Sequence, residues 1–153
     1  MRHRARPTRL AGALLALALL AALTGCGENS IESYCSDLRE HREEMAEMIE
    51  SSSPSALLSH LPMLHDLADE APQDLADEWQ VFVGALDDLD QAIEDAGVQP
   101  SDFEDGKPPA GLSAAERKAI EDAATQIQSE DVVQAASGIE QQGRDVCKVN
   151  LGL

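Results

Sequence analysis

The stretch LADEWQVFVGALDDLDQAIEDAG, residues 75–97, decides the architecture. Its apolar side chains, Leu75, Trp79, Phe82, Val83, Leu86, Leu89 and Ile93, recur every three or four positions, which gathers them on one stripe of an α-helix. Ala71-Pro72 stands just ahead of it, where proline suits a first turn and restricts the residue before it. Gly97 is placed to terminate the helix. Trp79 lies in phase with the stripe, so it reads as core packing rather than as a binding aromatic.

Working outward, the composition agrees with helices. Ala, Leu, Glu, Asp and Gln dominate, aromatics are 3%, and no sustained alternation of apolar and polar residues suggests strands. A first helix is predicted over Ile31–Glu50, with Ser30 as its N-cap and Ile31, Cys35, Leu38, Met45 and Ile49 on its seam. Arg42 also falls on that seam, so either its stem lies on the core edge with the head in water, or it meets a carboxylate on a facing helix. After SSSPS, residues Leu57, Leu58, Leu61, Leu64 and Ala68 mark a second helix, and Pro62 predicts a kink or a late start within it.

The segment VQPSDFEDGKPPAG, Val98 to Gly111, is rich in Pro, Gly and acids and predicts an exposed loop, residues 98–112 of the domain. Ser113-Ala114-Ala115-Glu116 then fits a capping box, in which each end's side chain satisfies the other's backbone N–H. Ala119, Ile120, Ala123, Ala124 and Ile127 continue that helix. A second phase follows in Val132, Val133, Ala136, Ile139, Val146 and Cys147. DLADE occurs twice, at Asp66–Glu70 and Asp74–Glu78, too few copies for a solenoid.

The start of the chain is of another kind. MRHRARPTR carries four arginines and no acid, and Leu10 to Leu23 is an uninterrupted apolar run of fourteen residues. That length suits the core of a secretory signal and falls short of the ~20 residues a membrane-spanning helix needs. Leu23-Thr24-Gly25-Cys26 resembles the lipobox of bacterial lipoproteins. The resemblance implies diacylglycerol on the Cys26 thiol and cleavage just before it, leaving residues 1–25 as a removed signal peptide. Residues 26–30 become a lipidated tether, and residues 31–153 the folded domain. Two acyl chains hold firmly where one binds reversibly. The four residues after Cys26 reach at most ~14 Å, which keeps the domain near the membrane on its extracytoplasmic face.

Removing residues 1–25 takes four of the eleven Lys and Arg and none of the twenty-nine Asp and Glu, so the remaining chain carries −22. Such an excess opposes nucleic-acid binding and adhesion to anionic headgroups, and it supports solubility. With Cys26 assigned to lipid, Cys35 and Cys147 remain. Outside the cytoplasm two such thiols are more often paired than free, the competing reading being two buried reduced cysteines. A Cys35–Cys147 bridge joins the start of the first helix to the end of the last. In an up-and-down bundle that requires an even number of helices. The expected fold is therefore an all-α, antiparallel four-helix bundle, with Ser113–Val146 one long helix bent near Ser129.

Motifs for chemistry are absent. His60 and His65 are five apart with Pro62 between them and do not share a helical face; His41 has only Asp37 and Glu44 near it. The acids Asp87, Asp88 and Asp90, and Asp102, Glu104 and Asp105, lack the register of a calcium loop and read as a solvated face. No nucleophile elbow or phosphate loop occurs. No catalytic, metal or cofactor residue is assigned. The whole chain resembles the small lipoproteins of high-GC Gram-positive bacteria that combine a lipobox, an Ala- and Asp-rich helical body and a cysteine pair, most without an assigned activity. The expectation is a non-enzymatic interaction module with an envelope protein as partner, and the alternative an envelope ligand- or cation-binding protein.

Overall fold

The computed structural model describes residues 30–51, 54–103 and 107–153. The expected signal peptide, the expected lipobox with Cys26, all of the expected tether except Ser30, and Glu104 and Asp105 lie outside the described residues. The described chain is all-helical, with seven α-helices and no β-strand. They are α1 (Ile31–Glu40), α2 (Arg42–Ser51), α3 (Pro54–Ser59), α4 (Leu61–Asp69), α5 (Ala76–Asp95), α6 (Ala114–Ile127) and α7 (Glu130–Gln142).

Helix α5 is the hub, packing on α3, α4, α6 and α7. Its seam Trp79, Phe82, Val83, Leu86, Leu89 and Ile93 is buried throughout. Asp77 and Glu78 sit in its first turn, where the helix dipole favours negative charge. At its end Gly97 takes φ +67, its N–H bonds to the Glu94 carbonyl and that of Val98 to Ile93. This is the Schellman arrangement, which needs a residue tolerant of the left-handed region.

The helices on either side of α5 are each interrupted once. Ser30 caps α1, its Oγ accepting from the Ser33 N–H at 3.1 Å. The expected single helix Ile31–Glu50 breaks at His41 (φ −86, ψ 3) into α1 and α2. Helical bonds continue on both sides, from His41 N–H to Asp37 and from Met45 N–H to His41. Its buried face is Tyr34, Cys35, Leu38, Met45 and Met48; Ile31 is exposed, Ile49 half-buried, and Arg42 points to solvent. Between α3 and α4 the break is at His60, and Pro62 lies in the first turn of α4, where its missing N–H costs nothing.

Ser113 and Glu116 form the capping box: the Ser113 N–H donates to the Glu116 carboxylate at 2.7 Å and the Glu116 N–H to Ser113 Oγ at 3.2 Å. Those bonds from Ser113 hold the Glu116 carboxyl below its usual range. The expected long helix from Ser113 is two helices rather than one. Gln128 and Ser129 separate them, and Ser129 Oγ caps α7 by accepting from Val132 N–H. The chain does not reverse there: Ile120 and Ala124 lie beside Leu89 and Ile93, while Gly138 lies under the stem of Glu78. Helices α6 and α7 thus run in turn along α5, in the opposite direction.

The last helix ends in a π-turn, Gly143–Cys147, and Cys147 forms a disulfide with Cys35. Both cysteines are buried, and their Cα atoms are 4.9 Å apart across 112 positions of chain. Lys148 adopts φ 61, after which the tail folds back and buries Val149 and Leu151. Gly143 permits this, because a Cβ there would meet Leu151 Cδ1 at 3.1 Å. Sequence periodicity places Val133 and Val146 on the buried seam; the structure exposes both and buries Ala135 instead. The wider rings of the π-turn shift the phase beyond Ile139 and account for Val146, whereas Val133 lies about 100° around α7 from buried Val132.

One polar contact lies in the core. Trp79 Nε1 donates to the Tyr34 hydroxyl at 2.9 Å, and the two rings meet edge to face, as do Trp79 and Phe82. Tyr34 is fully buried, and burial pushes its pKa up to about 12 against the opposing pull of the Trp79 N–H.

Two outcomes follow. Replacing Cys35 and Cys147 together by Ser lowers the unfolding free energy by about 2–4 kcal/mol, read as a fall in the urea midpoint. The chain has one tyrosine, so ultraviolet tyrosinate absorbance reports Tyr34 alone. Because the folded state holds the neutral form, its stabilising effect is complete below pH 10 and is lost as pH rises from 10 toward about 12. The slope there is up to about 1.4 kcal/mol per pH unit. A folded-state midpoint at the ordinary value would show the hydroxyl to be solvated.

Candidate functional site

Core side chains and partly buried apolar ones meet at the floor of one open cleft. Helix α2 contributes Met48 and Ile49, α3 Leu57, α5 Phe82 and Leu89, α6 Ala124 and Ile127, α7 Ala136, and the tail Leu153. The cleft holds about 420 Å³, with Gln128 as the polar group on its wall. Leu89 and Ala124 also wall a smaller cavity of about 120 Å³. Its floor is Leu58, Ile93 and Ile120; its roof is Pro100, Phe103 and Pro108, with Ser55 and Glu121 at the edge.

That roof corrects the sequence expectation for residues 98–112. The loop is not wholly exposed: Val98, Phe103 and Leu112 are half-buried and pack against the core. A short 3₁₀ turn, Pro100–Asp102, holds it, with the Asp102 carboxylate accepting from Gln99 N–H at 2.8 Å. Phe103 sits directly after a turn that buries nothing itself. A single aromatic among acids and prolines carries no periodicity, and the loop's composition outweighs it.

The walls of both hollows are mainly apolar, with Gln128 on the cleft and Ser55 and Glu121 at the edge of the smaller cavity. The sequence-singled residues stand elsewhere. His41 Nδ1 lies 3.2 Å from Glu44 on its own helix, and His65 Nε2 lies 2.8 Å from Asp87 Oδ1, joining the exposed faces of α4 and α5. His60 stands at the head of α4, apart from His65. Among the described residues no three His, Cys, Asp or Glu come together as a metal site. Cys35 and Cys147 are joined to each other, and Trp79 is core.

Among the described residues the acids occupy the outer faces. Asp77, Glu78, Asp88 and Asp131 line an open groove of about 850 Å³ between α5 and α7, together with Val81 and several glutamines. No charged residue among those described is buried. The four exposed large apolar side chains, Ile31, Val81, Val133 and Val146, are spread over α1, α5, α7 and the π-turn. No helix among the described residues is long and apolar enough to cross a membrane.

Comparison with family models, with curated proteins and with solved structures finds no match to this chain. The site is therefore read from its own chemistry.

Phe103→Ala tests the roof. With the ring half-buried on the core, its removal costs about 1–3 kcal/mol and accelerates amide exchange over residues 98–103. On a loop detached from the body the same change stays within about 0.5 kcal/mol.

Proposed function

We propose that the chain is a membrane-anchored, extracytoplasmic lipoprotein whose helical domain is a non-enzymatic interaction module at the cell envelope. In this reading Cys26 carries the lipid and is the attachment to the membrane, and the domain is an antiparallel four-helix bundle. Its four rods are α1 with α2, α3 with α4, α5, and α6 with α7. The apolar cleft beside Met48, Leu57, Phe82 and Ala136 is the observation that carries the interaction reading. On a chain this acidic, a concave hydrocarbon surface is where a partner gains most by leaving water. Its occupant is an apolar segment of an envelope protein.

The smaller cavity supports a second reading, in which the domain binds a small apolar ligand beneath the 98–112 loop. Nothing in either hollow favours a cation.

The two parts are tested separately. Intact mass of the protein from membranes is expected to show a chain beginning at Cys26 and carrying diacylglycerol; a bare Cys26, or protein free in culture medium, overturns the anchoring. For the module, photo-crosslinking groups placed at Leu57 and Ala136 on intact cells capture one envelope protein in common. The same group at exposed Ala119 does not capture it. Capture that is equal at all three positions, or absent at the first two, overturns the cleft as the interaction surface.

A further inference from the structure

The cations of this acidic chain are unevenly placed. Residues 26–153 hold seven Lys and Arg, and three of them, Arg39, Arg42 and Lys148, line one groove of about 830 Å³ between the α1–α2 side and the C-terminal tail. Glu43 is the one carboxylate that lines it. Asn150 adds an amide.

Two of these cations are oriented without being neutralised. Arg39 Nη2 donates to the Cys147 carbonyl at 2.9 Å and Lys148 Nζ to the Asp145 carbonyl at 2.7 Å. Elsewhere Lys118 pairs with Asp122 and Arg144 with Glu140. Arg39, Arg42 and Lys148 form no ion pair with a carboxylate among the described residues. Lys148 is also the one non-glycine residue described with positive φ. Gly or Asn occupies that position after a helix at lower cost, so the backbone alone does not call for a lysine.

We propose that this groove binds the phosphate of an anionic phospholipid headgroup and so fixes which side of the domain faces the bilayer. The proposal rests on the reading that Cys26 is acylated. Arg39 lies about 14 Å along the helix from Ser30, and the tether adds at most ~14 Å, so the groove is within reach of the surface that holds the anchor. The net charge does not prevent this. Screening limits each charge to roughly 8–10 Å, so the carboxylates that count are those of the groove's own elements, Glu43 on its wall and Glu40, Glu47 and Asp145 near it in sequence, rather than the net charge of the whole chain. Guanidinium groups suit phosphate oxygens through paired N–H donors. An acidic peptide offers similar charge, but nothing brings one to this face, whereas the tether brings lipid.

The test uses the full-length acylated protein in vesicles of phosphatidylcholine alone or with phosphatidylglycerol, read by amide exchange. Phosphatidylglycerol is expected to slow exchange at residues 148–150 roughly threefold, an effect removed by high salt. The double variant Arg42→Gln with Lys148→Gly loses the slowing while its melting temperature equals or exceeds the parent's, which separates charge from folding. Equal exchange in both vesicles with the protein bound to both overturns the proposal, and so does slowing confined to another face. Slowing by an oligoglutamate peptide but not by phosphatidylglycerol reassigns the groove and also overturns it. If the protein proves unacylated, the anchoring fails by itself; sedimentation with phosphatidylglycerol vesicles then decides the groove, and no sedimentation overturns it.

Discussion

Cys35 and Cys147 stand near opposite ends of the folded chain and are held together at 4.9 Å between Cα atoms. Most of the domain lies inside that closure, with Tyr34 just ahead of it and the buried tail residues Val149 and Leu151 just after it. The bridge fixes the start of α1 against the turn that ends α7, and Arg39 reinforces the join by bonding the Cys147 carbonyl. Next to it Tyr34 and Trp79 bring α1 onto α5 through an edge-to-face contact and one buried hydrogen bond. With aromatics at 3% of the chain, this one cluster supplies the large, shape-specific contact that aliphatic side chains do less well. The rest of the core is Leu, Ile, Val, Met and Ala.

How much of this was legible beforehand depended on whether the signal was local. Gly97 and the Ser113–Glu116 box are backbone requirements satisfied by residues a few positions apart, and both sit where the sequence places them. The α5 seam is long enough for its period to be unmistakable. Pro62 announced the break between α3 and α4, but nothing local announced the one at His41. Tyr34 was missed because it is one position from Cys35 on the same seam, and its significance lies in Trp79, forty-five residues away. The tail was missed for a different reason: Val149 and Leu151 are too few to establish a period, and Leu151 is buried where Gly143 leaves room for it.

The candidate site was less legible than the fold. The cleft draws one or two residues from each of α2, α3, α5, α6, α7 and the tail, and each of them reads as ordinary core. Only their spatial sum leaves a hollow. Conversely, His41, His60, His65 and the acids Asp87, Asp88 and Asp90, which looked like chemistry in one dimension, lie on the outside of the helices in three and come together in no metal site among the described residues. Arg39, Arg42 and Lys148 do the reverse, since the disulfide brings them into one groove from positions over a hundred residues apart. An acidic chain can thus carry a local basic surface that its overall composition conceals.

The position of the bridge has a mechanical consequence. Ser30 to Tyr34 are the only described residues ahead of Cys35, so tension applied through the N-terminal segment passes along barely more than one helical turn before meeting a covalent crosslink. From there the pull divides between the two arms of the closed loop, and neither can be peeled residue by residue from the core. A pull entering at Ser30 therefore reaches that crosslink within five residues, ahead of most of the core.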